Sequence, residues 1–140
     1  MKTITKLVSA TALAAIILVS CKKDDPTPVP TTIQKIQAKW TFDKLTELNI
    51  FMGTSTRDTL YGTAAEYVDF RTDNKVYSFI DSDYDTASYT LLNDNKIITF
   101  DNTGYRDTSD IRVLNINQLQ LFSTGTYTNG YYENTLFLKK

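Results

Sequence analysis

The chain has 140 residues, with 15 basic and 16 acidic side chains, a single cysteine and no histidine. That length fits one domain of ordinary size and not two, and the near-balanced charge offers no basic surface for nucleic acid. Without histidine, and with no cysteine besides Cys21, Ser-His-Asp and Cys-His catalysis and His- or Cys-ligated zinc sites are excluded.

Residues 1–20 have the layout of a secretory signal, with Lys2 and Lys6 ahead of an apolar run from Leu7 to Val19 that is interrupted only by Ser9 and Thr11. A bilayer span needs ~20 apolar residues, and Cys21, Lys22 and Lys23 stop this run short of that length. Leu18, Val19, Ser20 and Cys21 resemble the lipobox of bacterial lipoproteins, in which an aliphatic and a small residue precede an obligatory cysteine. The resemblance implies that Cys21 is acylated and becomes the first residue of the mature protein. Two or more acyl chains hold a protein on a membrane without spanning it. With Cys21 acylated no thiol remains for a disulfide, so the domain is expected to stand on its core alone.

Behind the cysteine come Lys22, Lys23, Asp24 and Asp25. Lys23, Asp24 and Asp25 resemble the signal that sends lipoproteins of one large group of Gram-negative bacteria to the outer face of the outer membrane. Pro26, Pro28 and Pro30 follow, alternating with Thr27, Val29 and Thr31, and they are the only prolines. Alternating proline favours extended polyproline II at ~3.1 Å per residue, so residues 21–31 read as an anchor and tether. The domain is expected to occupy residues 32–140. Loss of Lys2 and Lys6 with the leader leaves 13 of the 15 basic residues against 16 acidic ones, which makes the mature chain mildly acidic.

Ile33, Ile36 and Trp40 fall on one side of a short helical turn that Thr32 is placed to cap, and a strand is expected to start at Trp40. From about residue 65 period-two alternation recurs. Glu66 to Phe70, Val76 to Ile80, Ala87 to Leu91, Lys96 to Phe100, Ile111 to Ile116, Leu119 to Phe122 and Thr135 to Leu138 each read as a short strand. Asp73-Asn74, Asp94-Asn95 and Asn115 to Asn117 lie between neighbouring runs, and Asn and Asp tolerate the positive φ of tight hairpins. Phe70 to Phe79 also aligns with Leu91 to Phe100, and Val113 to Phe122 echoes both, at the spacing of one strand up and one strand down. The expected fold is all-β, an antiparallel meander.

A short N-terminal turn, a tryptophan opening the first strand and hairpins to the C-terminus resemble the small lipocalin-like domains of bacterial lipoproteins. Ala38 stands where the lipocalin signature has glycine. The resemblance implies a barrel of about eight strands, with a basic residue near the chain end, Lys139 or Lys140, covering Trp40. A β-sandwich is the alternative closure.

The remaining chemistry is carboxylates, hydroxyls, lysines and tyrosines. Asp81, Asp83 and Asp85 have the spacing of the first ligands of an EF-hand loop, but Thr86 replaces the required glycine and Leu92 the bidentate glutamate. Asp73, Asp94, Asp101 and Asp107 are expected at turns, where solubility explains them. Catalysis is not expected, since histidine, the commonest general base, is missing; no cofactor or metal is implied. Phe70, Tyr77, Phe79, Tyr89 and Phe100 are the candidates for lining a lumen, which an eight-stranded barrel can either fill or leave open for one small ligand. A binding module for a small apolar or glycan-like ligand is therefore the leading expectation. A protein-interaction subunit of an envelope complex, acting through a patch near Tyr127, Tyr131 and Tyr132, and a carboxylate hydrolase are the alternatives. The partners expected are the membrane, through the lipid, and such a ligand or protein, with no nucleic acid.

Overall fold

The computed structural model describes residues 29–101 and 103–140. The signal run, Cys21 and the Lys23, Asp24 and Asp25 triplet lie outside the described residues.

A capping box opens the fold. Thr31 Oγ1 accepts the Gln34 N–H while Gln34 Oε1 accepts the Thr31 N–H, so the cap of α1 (Thr32–Ile36) is Thr31, one residue before the expected Thr32. Then come β1 (Lys39–Phe51), β2 (Thr54–Tyr61), β3 (Tyr67–Phe70), β4 (Lys75–Ile80) and β5 (Asp83–Asn93). β6 (Lys96–Phe100), β7 (Arg106–Leu114), β8 (Gln118–Tyr127) and β9 (Gly130–Lys139) complete the chain. β3 to β9 form the expected antiparallel meander, and β1 pairs with both β3 and β9. The result is a closed eight-stranded antiparallel barrel with β2 as one further strand outside it.

β1 closes the ring by changing neighbours. Lys39 to Thr41 pair with β3, whereas Lys44 to Phe51 pair with β2, and β9 follows β1 from Thr41 to Phe51 on its other side. A bulge at Asp43 separates the two stretches. It moves the inward-facing row from Trp40 and Phe42 to Leu45. The chain returns from β2 through Gly62, whose N–H donates to the Asp43 carbonyl. A Cβ there would stand 2.1 Å from the Phe42 carbonyl oxygen, so only glycine fits.

Residues 71–74, 94–95 and 115–117 turn at the same end of the barrel as α1, and the three echoing segments each span one of these hairpins. Ile36 and Trp40 are fully buried there with Phe42, Tyr89, Ile97 and Leu119. Trp40 Nε1–H donates to the Ile36 carbonyl at 2.9 Å, which ties α1 to the first strand. Lys140 Nζ sits 4.5 Å over the Trp40 ring, and Lys139 instead pairs with Asp43. This end is sealed. At the other end the Asp81-Ser82 turn has φ of 52° and 66°, and Met52-Gly53 of 48° and 79°, the paired positive values of tight hairpins.

Candidate functional site, the open half of the barrel

Above the sealed end the barrel is not filled. A cavity of about 330 Å³ lies inside the wall, at the lower end of the ~300 to 1,000 Å³ typical of small-molecule pockets. Its floor is apolar. Val68 and Phe70 of β3, Val76 of β4, Ala87 of β5 and Leu121 of β8 form it, with Leu45 and its cross-strand partner Leu136. Leu45, Ile80, Ala87 and Leu136 pack against the core yet stay only half-buried, because the lumen gives solvent access to their inner faces.

The upper wall is polar. Ser78 and Asp85 are paired across β4 and β5, Thr99 and Asp107 across β6 and β7, and Ser123 and Asn134 across β8 and β9, and Ser109 lies on the same inward row as Asp107. Asp85 and Asp107 each accept the N–H of the following residue, which fixes one carboxylate oxygen. Ser123 is more than nine-tenths buried, while no buried side-chain N or O atom of the described residues lacks a partner. Hydroxyls on this wall that have no protein partner therefore open onto the lumen.

The connection between β2 and β3 is pinned to the open end by Glu66. Its carboxylate accepts the Thr63 N–H and the Asp81 N–H, both at 2.6 Å, joining that connection to the β4–β5 turn. The Thr63 and then the Asp81 backbone N–H hold this carboxyl below the usual carboxylate value, against the opposing effect of burial.

Of the expected lumen aromatics, Phe70 lines the cavity. Tyr89 lies deeper, edge-on to Phe70 with centroids 5.2 Å apart, and its hydroxyl donates to the Arg71 carbonyl and accepts from Gln37 Nε2. Burial raises the Tyr89 phenol above its usual value. Tyr77 and Phe79 fall on the outer row of β4, since Val76, Ser78 and Ile80 take the inner one. Arg71 covers Tyr77, and Phe79 stacks on Tyr84 at 4.4 Å. Phe100 is partly exposed at the end of β6, where Thr99 takes the inward position.

Asp81 sits in the turn and Asp85 on the lumen wall, and among the described residues no group of three carboxylates is placed to hold a metal. Asp107, expected at a turn, is a strand residue on the lumen wall. Tyr127 crosses Gly130 to donate to the Ile50 carbonyl and stacks on Phe51, while Tyr132 lies over Gly125. These aromatics cover glycine gaps at the rim, where Tyr127 and Tyr131 are both partly exposed.

The polar wall was missed as a site, although a signal for it exists. Leu119 and Leu121 share their inward phase with Ser123, and Leu138 and Leu136 share theirs with Asn134. Carrying each apolar row two residues up its strand finds the lining. No protein-family model, curated protein or solved structure matches the chain.

Proposed function

We propose that this protein is a lipid-anchored bacterial lipoprotein whose lipocalin-like barrel binds a small molecule without chemically altering it. The observation that carries the binding reading is the half-filled lumen, an apolar floor under a ring of hydroxyl, amide and carboxylate groups. Small-ligand sites combine these two elements, apolar area for affinity and a few polar groups for orientation. The signal-like run, Cys21 and the residues behind it support the anchor. Lys23, Asp24 and Asp25 support display on the outer face of the outer membrane.

Thermal denaturation of the segment 29–140 in the presence of a panel of lipids and oligosaccharides tests the reading. The segment keeps Thr31 and with it the helix cap, holds every strand, and closes its core through the pairing of β1 with β9. A ligand that raises the midpoint with concentration supports binding. Turnover of a glycan or ester, abolished by removing Asp85 or Asp107, would replace binding by hydrolysis.

A further inference from the structure

The sign of the charge on the wall narrows the ligand, on the reading that the lumen binds one. Among the described residues no lysine or arginine lines the cavity, whereas Asp85 and Asp107 do. Three cations of the wall are turned to the outside and held on aromatic faces. Lys39 lies 3.6 Å over Tyr67, Lys44 4.7 Å over Phe137 and Arg112 3.3 Å over Phe122. Two carboxylates above an apolar floor focus a negative potential at the upper half of the cleft.

We propose that the lumen selects small cationic amphiphiles, a primary ammonium on a short apolar chain. The chain rests on Phe70, Val76, Ala87 and Leu121, and the ammonium reaches the level of Asp85 and Asp107. An ammonium has three N–H donors and no acceptor. The upper wall answers with carboxylate oxygens and with the hydroxyl of Ser123, a buried residue that lines the cavity. A fatty acid in the same pose would bring a further negative charge beside two carboxylates with no cation to meet it, and such burial is costly. An uncharged alcohol would keep the apolar contacts and lose the charge-assisted bonds. The small volume excludes long acyl chains.

Octylamine, octanol and octanoate share one chain and differ in the charge of the head, so calorimetric titration of each into the segment 29–140 separates chain from head. Octylamine is expected to bind ~10-fold or more tighter than octanol, the effect of one charge-assisted hydrogen bond, and octanoate not to bind. The double variant Asp85→Asn, Asp107→Asn should bring the amine to the affinity of the alcohol and leave octanol unchanged. Equal binding of all three, or an amine preference that survives the double variant, overturns the charge selection and leaves the lumen as a neutral binding site. Binding of none of them to a folded segment overturns this proposal, and the lumen reading then falls only if the lipids and oligosaccharides also fail to shift the melting midpoint.

Discussion

Glu66 accepts the backbone N–H of Asp81 at 2.6 Å, joining the segment before β3 to the turn after β4 with one carboxylate oxygen while the other holds Thr63. Because these bonds favour the charged form, Glu66 has a lower value folded than unfolded. Its contribution is present above the unfolded carboxylate value of about 4.3 and is lost as pH falls through the lower folded value. Glu66→Gln replaces one acceptor by a donor. The variant should melt below the wild type at neutral pH, and the gap should close as the pH is taken below the folded value. Melting curves across that range check this, and a gap that does not vary with pH would contradict it.

Gly62→Ala should cost about 1–3 kcal/mol, since the new methyl meets the backbone of Phe42 and not a movable side chain. Gly53→Ala meets no atom within 4 Å and carries only the strain of its positive φ. Urea midpoints of the two variants should rank Gly62→Ala as the more damaging.

How much of this architecture was legible depended on what each strand faces. The apolar stretches of β5, β8 and β9 alternate between an apolar interior and an outer face, and period two exposes them. Their upper halves do not alternate in polarity, because the wall there is Asp85, Ser123 and Asn134 facing a wet lumen with polar residues outside as well. Period two therefore ends β8 at Phe122, where the strand continues to Tyr127, and starts β9 at Thr135, five residues late. β2 escaped for a different reason, as Thr54 to Tyr61 lies outside the barrel and is largely exposed along its length. The polar lining of the lumen erases the very pattern that reveals a strand. Tyr77 and Phe79 lie outside because Val76, Ser78 and Ile80 hold the inner row of β4, a phase that aromatic size alone does not reveal.

Trp40→Phe should destabilise the domain by about 1–3 kcal/mol, because it leaves the Ile36 carbonyl without its donor at a fully buried position. The expected loss appears in the denaturation midpoint, and ligand affinity should be unchanged, since Trp40 lies at the sealed end and does not line the cavity. A variant that lost affinity and kept its stability would place the site at the wrong end of the barrel.

Cys21→Ser should abolish incorporation of a fatty-acid probe, since no other residue of the chain offers a thiol. Replacing Lys23, Asp24 and Asp25 by Ala should protect the domain of intact cells from external protease. Label on the Cys21 variant would show the anchor to be misassigned, and equal digestion of both forms would remove the export role of the triplet.

The central claim is that a small ligand enters the open half of the barrel, and methyl-resolved NMR of the segment 29–140 during an octylamine titration tests it most directly. The methyl signals of Leu45, Val76, Ala87 and Leu121 should move together with one saturating affinity. The variant Ala87→Phe, which fills the lumen, should stay folded and show no shifts. If the lumen methyls stay still while the aromatic signals of Tyr67, Phe79 and Tyr84 on the outer face respond, the ligand binds outside the barrel and the account is wrong.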